Sequence, residues 1–165
     1  MKPKKCSFRS CKNETKTKYC SEECRVFATY KTIPKLKKYI WKLYSEYIRR
    51  NYADDAGYVQ CYTCPKRELW NSGKIHAGHF MHGDNPGTWT NDKNVKPQCG
   101  FVCNISKSGN REVYALRLEL EYGFGIIQEL DKAFWNPPTT WSIVPLRQEY
   151  RRVAKLLSCL IQPSS

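Results

Sequence analysis

The chain lacks the features that would direct it into a membrane or out of the cell. No stretch of roughly 18 consecutive apolar residues occurs in its 165 residues, so no membrane-spanning helix is predicted. The first five residues include three lysines, but a cysteine and further charges follow where a signal peptide would have an apolar stretch. Internal repeats are absent, and low-complexity sequence is confined to a short serine-rich tail. The length predicts one compact domain, alone or with a small appendage.

Acidic residues are scarce in the first 50 residues, which contain 15 Lys and Arg but only four Asp and Glu. The remaining residues, 51–165, contain 13 Lys and Arg against 11 Asp and Glu. Positive charge concentrated in the N-terminal third favours a polyanionic partner, and nucleic acid is the commonest one. The alternative is a lysine-rich face that contacts only water.

Nine cysteines without a secretion signal argue against a disulfide framework. Eight of them form close pairs along the chain: Cys6/Cys11, Cys20/Cys24, Cys61/Cys64 and Cys99/Cys103. A close pair presents two thiolates to one Zn²⁺, and two pairs complete a tetrahedron. The spacing therefore predicts two zinc sites, each with four cysteine ligands. Cys159 is left over and is predicted to be a buried free thiol.

The first 33 residues are predicted to form a small zinc module with four cysteine ligands. Their apolar residues are too few for a core, so bound metal would have to stabilise the fold. Ser21 is suited to cap a short helix that begins beside Cys24. The sequence leaves open whether this module contacts DNA or is only structural.

Residues 34–56 are predicted to form a basic helix and a linker, with the helix over 35–52. Its apolar residues recur on one face: Leu36, Ile40, Leu43, Tyr44, Tyr47 and Ile48. Lys37, Lys42 and Arg49 fall off that face and are candidate contacts to a phosphate backbone. A core helix with a solvated basic side is an equally good interpretation.

Residues 57–110 are predicted to form the zinc-clamped core of an α+β fold. A hairpin over 58–74 comes first, then a strand over 75–80, a loop over 83–92, an extended piece over 94–98 and a short helix over 101–107. Residues 111–165 are predicted to be helical, over 111–122, 125–135 and about 142–160. The expected inward residues are Val113, Leu116 and Leu120 in the first helix and Leu146, Tyr150, Val153, Leu157 and Leu160 in the last.

A zinc site with four cysteine ligands leaves no position open for water, so the site at Cys61 is predicted to be structural. It would clamp the strand that carries His76 and His79 against the segment that carries Asn104. Phosphodiester hydrolysis needs an activated water and positive charge on the phosphate. Histidine suits the first task, and a divalent ion such as Mg²⁺ suits the second. The alternative for His79 is a structural histidine that donates to a backbone carbonyl.

Several short motifs occur together in a specific order: Cys61-x2-Cys64, Ala77-Gly78-His79-Phe80, Asn94, Gln98-Cys99, Cys103-Asn104 and Lys107-Ser-Gly-Asn110. With the N-terminal cysteine pairs and the Trp141…Tyr150 segment, they resemble the NinG (Rap) family of phage recombination proteins. That family consists of HNH-superfamily endonucleases that act on branched DNA. The resemblance covers nearly the whole chain.

The resemblance implies a ββα-metal (HNH, or His-Me finger) core surrounded by helices. His79 would be the general base that activates water, and Asn94 would brace the loop beside it. Asn104 would bind a catalytic Mg²⁺ or Mn²⁺. Lys107 would contact a phosphate. Apart from the resemblance, Asn110 and His82 are further candidate contacts to DNA, and the alternative for His82, which follows the strand in a loop, is a solvent-exposed side chain.

The chain departs from the family pattern at three positions. Gly78 stands where the superfamily usually has Asp directly before the base, and His76 stands in place of an acidic residue three positions before it. We expect His76 to be a metal ligand, which would favour Mn²⁺ or softer ions over Mg²⁺. The spacing of Cys99 and Cys103 has one residue more than usual, which a bulged turn would absorb.

The sequence thus predicts a metal-dependent endonuclease for branched DNA such as a Holliday junction or a D-loop, working in the cytoplasm of a bacterial host. Cutting a junction needs two nicks, so a homodimer is expected. The alternative is a catalytically inactive, zinc-containing DNA-binding protein. A Cys-His hydrolase is disfavoured because zinc would occupy each cysteine near a histidine.

Overall fold

The computed structural model describes residues 2–161, which form helices and short antiparallel strand pairs. The strands pair as β1 (Lys4–Lys5) with β2 (Glu14–Thr15), β3 (Tyr58–Gln60) with β4 (Arg67–Leu69), and β5 (Ile75–His79) with β6 (Val95–Cys99). The α-helices are α1 (Glu22–Thr29), α2 (Ile33–Asn51), α3 (Arg111–Tyr122), α4 (Ile126–Trp135) and α5 (Ile143–Ile161). Met1 and residues 162–165, which include the serine-rich tail, lie outside the described residues.

Helix α2 is the central helix, and its apolar stripe forms the main core. Leu36, Ile40, Tyr44 and Ile48 are buried at four-residue intervals, as the periodicity predicts. They pack in one cluster with Leu146, Tyr150 and Val153 of α5 and with Ala77 and Val95 of the β5–β6 pair. The predicted helix over 35–52 is confirmed to within two residues at each end.

The N-terminal module packs onto this core and has no separate core of its own. Val26 and Phe27 of α1 join the same cluster, and the Phe27 ring meets Tyr150 edge-on, with centroids 5.4 Å apart. Ser21 caps α1 as predicted, because its Oγ accepts a hydrogen bond from the Cys24 amide at 3.2 Å. The few apolar residues of this segment therefore contribute to a shared core.

A π-helix, Gly100–Ser106, follows β6 directly and replaces the predicted short helix. In a π-helix the backbone bond spans one residue more than in an α-helix. The Lys107 amide accordingly donates to the Val102 carbonyl at 3.0 Å, five residues back. The extra residue between Cys99 and Cys103 is absorbed in this wider turn.

The predicted inward face of α3 is wrong. Tyr114 and Leu118 are buried, whereas Leu116 and Leu120 are 57% and 78% exposed. Tyr114 packs against Tyr62, and its hydroxyl is shared between the carbonyls of Gly78 at 3.1 Å and Asn94 at 3.2 Å. A buried tyrosine with a satisfied hydroxyl fills the core better here than the leucines do, so the helix turns that face inward.

The predicted inward face of α5 is confirmed for Leu146, Tyr150, Val153 and Leu157, which are buried. Leu160, near the end of the helix, is 39% exposed, so the prediction is wrong for this residue. Cys159 is also exposed, contrary to prediction. It follows Leu157 by two residues, which places it on the opposite side of the helix. Across residues 2–161, the helices are too short or too polar to cross a bilayer.

Candidate active site

The first four paired cysteines converge at the N-terminus. The sulfurs of Cys6, Cys11, Cys20 and Cys24 all lie within 4.8 Å of one another. Cys11 and Cys24 each place Sγ 3.5 Å from Sγ of Cys20. The Cys20 amide points at the Cys6 sulfur at 3.5 Å, as amides around metal-bound thiolates do.

The second four cysteines, Cys61, Cys64, Cys99 and Cys103, converge in the same way, again within 4.8 Å. Sγ of Cys64 lies 3.8 Å from Sγ of Cys99, and the Cys103 amide donates to Cys99 Sγ at 3.3 Å. This cluster joins the turn after β3 to the end of β6 and to the π-helix. The Tyr62 amide, within that turn, also donates to the Pro97 carbonyl of β6 at 2.7 Å.

Both clusters fit tetrahedral zinc. Zn–S bonds of about 2.3 Å would place the four sulfurs about 3.8 Å apart, close to the observed separations. Each set is complete with four thiols, so neither leaves a position for a water ligand. The predicted grouping of the cysteines is confirmed, and both sets could hold structural zinc.

His79 is the last residue of β5 and is half-buried between two elements. Its Nε2 lies 2.9 Å from the carbonyl oxygen of Trp89, and its ring stacks on Trp41 of α2 with centroids 4.7 Å apart. A carbonyl can only accept, so Nε2 carries the proton and Nδ1 keeps its lone pair. Burial lowers the pKa of His79 below its ordinary value of 6.5, which favours the neutral ring.

Asn94 is fully buried and holds the loop that presents the Trp89 carbonyl. Its Nδ2 donates to the carbonyls of Thr88 at 2.9 Å and Met81 at 3.2 Å. Its Oδ1 accepts from the Met81 amide at 2.7 Å. Asn94 thus ties the end of β5 to the loop before β6, while its amide is fully engaged with the backbone.

His76 and Asn104 meet where β5 packs against the π-helix. Nδ1 of His76 lies 3.3 Å from Nδ2 of Asn104, although the two residues are 28 positions apart. The His76 ring lies over Gly100, where a Cβ would come within 2.6 Å of Nε2. Only glycine at the start of the π-helix leaves room for the His76 ring in this position. A cavity of about 310 Å³ opens beside His76, with Lys66 and Lys74 at its edge.

Alternation along β5 separates the two histidines. His76 and Gly78 face the π-helix, and His79 faces α2. The structure brings His76 and Asn104 into contact and places His79 next to Trp41, on the other face. Gln98 belongs to one of the short sequence motifs, which gives it no role of its own; it pairs with His76 across the two strands and lies on the same face.

The turn after the π-helix returns to the end of β5. Nε2 of His82 lies 3.3 Å from the Ser108 carbonyl, so this turn and the residues after His79 are neighbours. Lys107 and His82 are exposed there. Asn110 points inward and donates to the Thr63 carbonyl at 3.1 Å, so its side chain holds this turn to the turn that carries Cys61 and Cys64.

Two of the three basic residues singled out on α2 are engaged within the protein. Lys37 forms an ion pair with Asp84 and lies over the Trp141 ring, 3.7 Å from its centroid. Arg49 donates from Nε to the Trp70 carbonyl at 3.0 Å. Lys42 is exposed, as expected for a residue that contacts an external partner.

Lys42 shares its face of α2 with two other exposed lysines, Lys38, which also falls off the apolar face of the helix, and Lys35, which the sequence pattern did not distinguish. The three lysines border an open apolar groove of about 420 Å³ lined by Tyr30, Tyr39 and Trp41. Tyr30 and Tyr39 stack with centroids 4.5 Å apart, and Trp41 is the residue that stacks on His79. Only the packing of α1 against α2 brings these aromatic rings together, so periodicity could not find the groove.

Comparison with known proteins gives one match. No curated protein sequence and no solved structure matches the chain at a significant level. The family model described as bacteriophage lambda NinG protein matches residues 12–159. The matched segment includes His76, His79, Asn94, Asn104 and all four cysteines of the second cluster, but begins after Cys6 and Cys11 of the first. Because the match spans most of the chain, the protein belongs to the NinG family.

Proposed function

We propose that this protein is a metal-dependent HNH-type endonuclease that hydrolyses phosphodiester bonds in branched DNA. It would act in phage recombination, in the cytoplasm of the bacterial host. The observation that carries the proposal is the contact between His79 Nε2 and the Trp89 carbonyl at 2.9 Å, which assigns the proton to Nε2 and the lone pair to Nδ1. Burial lowers the pKa of His79, which favours the neutral ring.

A histidine in this state is prepared to act as a general base. The Trp89 carbonyl fixes the tautomer, and the Trp41 ring fixes the plane of the imidazole. Nδ1 can then take a proton from water as that water attacks the phosphorus. Proton transfer of this kind typically contributes about 10²–10⁴-fold to rate.

His76 and Asn104 are the proposed ligands of a catalytic divalent ion. Their side chains are in contact, with Asn104 Nδ2 3.3 Å from His76 Nδ1. Exchange of the Asn104 amide atoms would turn Oδ1, the atom that binds metal, toward the imidazole. When bound there, Mg²⁺ or Mn²⁺ would offset charge on the phosphate and on the leaving oxygen. The imidazole ligand favours Mn²⁺.

The order of elements supports an HNH-type site. The antiparallel β5–β6 pair is followed at once by a helix that carries Asn104, which is the order of a ββα-metal core. The turn that carries Lys107 comes back to the end of β5, where His79 lies. Lys107 would bind a phosphate at that point.

The lysines on α2 supply a DNA-binding surface beside the proposed base. Lys35, Lys38 and Lys42 are exposed on a helix whose Trp41 contacts His79. Phosphate contacts of this kind make affinity depend steeply on salt concentration. We therefore expect the slope of the logarithm of the binding constant against the logarithm of salt concentration to decrease by about one for each lysine removed.

Cleavage of a four-way junction tests the proposal. Purified zinc-loaded protein with Mg²⁺ or Mn²⁺ should cut the junction in preference to linear duplex of the same sequence. His79→Ala should bind the junction as the wild type does but lose about 10²–10⁴-fold in cleavage rate. Asn71→Ala is the control, because Asn71 lies in the exposed turn between β4 and β5, away from the proposed site residues, and should retain binding and cleavage.

Normal cutting by His79→Ala would disprove the role of His79. Salt-sensitive binding with no cleavage under any divalent ion would support the alternative, an inactive DNA-binding protein. The glycine at 78 and the histidine at 76 favour that alternative, since both stand where the family pattern has acids.

A homodimer would supply the two nicks that resolve a junction. The exposed stripe on α3 is a candidate contact surface, because Leu116 and Leu120 continue to Phe124, which is 96% exposed. In a symmetric dimer, the stripe of one chain would pack against the same stripe of the second chain, and these apolar side chains would be buried. Sedimentation on a junction should then show two chains, and Leu120→Glu should leave one. A wild-type monomer that cuts both strands would contradict the dimer.

A further inference from the structure

We propose that the N-terminal module binds a phosphate group of the DNA backbone in a basic cavity beside α5, with Arg147 as the main ligand. The sequence leaves open whether this module contacts DNA or is only structural, and the inference gives it a binding role. It rests on the proposed function, because it extends the DNA-binding surface beyond α2. Three observations carry it: a cavity with basic residues around it, an arginine without an anionic partner, and nearby carboxylates that are already paired.

The cavity has a volume of about 320 Å³ and lies where the N-terminal module meets α5. Its charged residues are Arg9 and Lys31 from the module and Arg147 from α5, with no carboxylate among the described residues of its lining. Arg9 and Lys31 are exposed and therefore open to a partner. Ser7 and Tyr19 also line the cavity, and a hydroxyl group can donate to an anion. This lining favours an anion as the occupant.

The guanidinium of Arg147 is held by two aromatic rings of the N-terminal module. Its central carbon lies 5.2 Å from the centroid of the Phe8 ring and 4.8 Å from that of Phe27. Phe8 lies in the turn between Cys6 and Cys11, and its carbonyl accepts from the Cys11 amide at 2.9 Å. The first cysteine cluster therefore positions one of the two rings. Stacking orients the guanidinium but supplies no anion to it.

Arg147 has no anionic partner within residues 2–161. Its Nε is buried without a hydrogen-bond acceptor, and none of the ion pairs in that range includes this side chain. A charged group that is partly removed from water is normally paired. Because Nε is covered, an anion would balance the charge through the part of the side chain that lines the cavity.

Arg151, one turn further along α5, shows how a carboxylate satisfies an arginine at this interface. Its Nε and Nη2 donate to Oε1 of Glu23 in α1 at 3.1 Å and 2.6 Å. Glu22, the other carboxylate of α1, forms an ion pair within its own helix. Both acids of α1 are thus engaged, and neither forms an ion pair with Arg147.

A DNA phosphate is the anion that the surroundings favour. Lys31 lines the cavity, and the residue before it, Tyr30, lines the groove that the lysines of α2 border. The cavity and the groove are therefore neighbours at the end of α1, and both carry positive charge. A guanidinium can bind phosphate through two parallel N–H···O bonds. Such a contact positions the protein on DNA without reading its sequence.

Two other occupants would also satisfy Arg147. Water in the cavity would solvate the guanidinium, and the side chain would then serve only to pack α5 against the module. A free inorganic anion would balance the charge without DNA. Neither occupant makes the affinity for DNA depend on Arg147.

The salt dependence of binding to a four-way junction tests the inference. Binding is measured with the zinc-loaded protein at several salt concentrations, without added Mg²⁺ or Mn²⁺, so that no strand is cut. Arg147→Met keeps an unbranched side chain between the two rings but removes the charge. It should bind about ten-fold more weakly, and the slope of the logarithm of the binding constant against the logarithm of salt concentration should decrease in magnitude by about one.

Lys155→Met is the matched control. Lys155 is an exposed cation of the same helix outside the cavity, so its removal changes the net charge equally and should leave the slope unchanged. Arg9→Gln and Lys31→Gln guard against an Arg147→Met protein that misfolds, since both side chains are exposed. Each should decrease the slope by about one. Zinc content and Tm show which variants are folded.

The inference is overturned if folded Arg147→Met binds the junction as the wild type does, or if Lys155→Met weakens binding equally. If Arg147→Met does not fold, unchanged slopes in both Gln variants overturn it. The amide resonances of Arg9 and Lys31 should shift when the junction is added. Equal shifts with inorganic phosphate at the same phosphate concentration would reveal a site for free anions and overturn the assignment to DNA.

Failure of this inference and failure of the proposed nuclease are distinguishable. Junction binding that depends on Arg147 in a protein that cuts no DNA would disprove the nuclease and leave the phosphate site intact. Metal-dependent cleavage by a protein whose binding is insensitive to Arg147→Met would disprove the phosphate site and leave the nuclease intact.

Discussion

The imidazole of His79 and the carbonyl of Trp89 lie 2.9 Å apart across a ten-residue separation, and this contact fixes where the His79 proton is. The contact depends on the loop that Asn94 ties to β5. The stacked Trp41 ring adds the second restraint. A change in the loop should therefore affect the proposed chemistry without touching the histidine.

The pH dependence of cleavage should reflect the burial of His79. Only the neutral ring can accept a proton, and burial lowers the pKa of His79 below 6.5. The midpoint of the acid limb of the rate profile should thus lie below pH 6.5. A pH–rate profile of kcat/KM measures this. An acid limb centred above pH 7 would contradict the assignment, and Asn71→Ala should leave the profile unchanged.

Asn94→Ala should destabilise the protein and lower cleavage together. The substitution removes three hydrogen bonds and leaves the amide and the carbonyl of Met81 without their Asn94 partner, while the Thr88 carbonyl keeps the Asn91 amide at 3.3 Å. Each buried polar group left unsatisfied costs about 1–3 kcal/mol. Urea unfolding measures the loss of stability, and junction cleavage under folded conditions measures the effect on His79.

Asn71→Ala, in the exposed turn between β4 and β5, is the control and should change neither quantity. Full activity in a folded Asn94→Ala protein would show that the Trp89 carbonyl does not depend on this tie.

The sequence predicted the features that depend on local spacing. The stripe of α2, the end of α3 before Gly123, the cap at Ser21 and the grouping of eight cysteines all follow from period or pairing. Each is decided by residues close together in the chain, or by the fixed coordination number of zinc.

The features that could not be predicted from the sequence depend on contacts between residues that are far apart in the chain. In α3, the spacing of Val113, Leu116 and Leu120 forms an apolar stripe as good as that of Tyr114 and Leu118, and only the hydroxyl partners of Tyr114 favour the second. The orientation of Gln98 is likewise set by Gly109 and Thr63, which no periodic pattern relates to it.

Each chain should contain two zinc ions that can be removed separately. Cys24→Ser and Cys99→Ser should each reduce the metal content to one, since their clusters are separate. Cys159→Ser should keep both, because that thiol is exposed and belongs to neither cluster. Elemental analysis of the purified variants gives the stoichiometry. A single zinc in the wild type would contradict the assignment of one cluster.

Loss of zinc from the first cluster and loss of zinc from the second should affect the proposed site differently. The second cluster connects the turn after β3 to the π-helix that carries Asn104, so Cys99→Ser should displace the metal ligand and abolish cleavage. Cys24→Ser should act mainly on α1 and its packing against α5. Hydrogen exchange of the π-helix should rise in the first variant and not in the second.

Lys96 and Glu121 form the most buried ion pair among the described residues. Removal of Glu121 should destabilise the protein more than removal of Lys96. The Lys96 side chain is fully buried, with Nζ 2.9 Å from Oε1 of Glu121 and 2.6 Å from the hydroxyl of Tyr52. Glu121 is 37% exposed and also accepts from the Tyr62 hydroxyl at 2.7 Å. Removal of the carboxylate leaves an ammonium without water, whereas removal of the ammonium leaves a carboxylate that water reaches.

Glu121→Gln should therefore destabilise the protein by about 3–5 kcal/mol, the cost of an unpaired buried charge. Lys96→Met should cost less, about 1–3 kcal/mol, for the hydroxyls left without a partner. Burial already lowers the pKa of Lys96, and loss of Glu121 should lower it further. The unfolded chain then binds the proton more tightly, so the stability lost in Glu121→Gln should return as the pH rises from 7 to 9. Urea unfolding at both pH values tests this, and an equal deficit at each would show that Lys96 keeps its charge without the carboxylate.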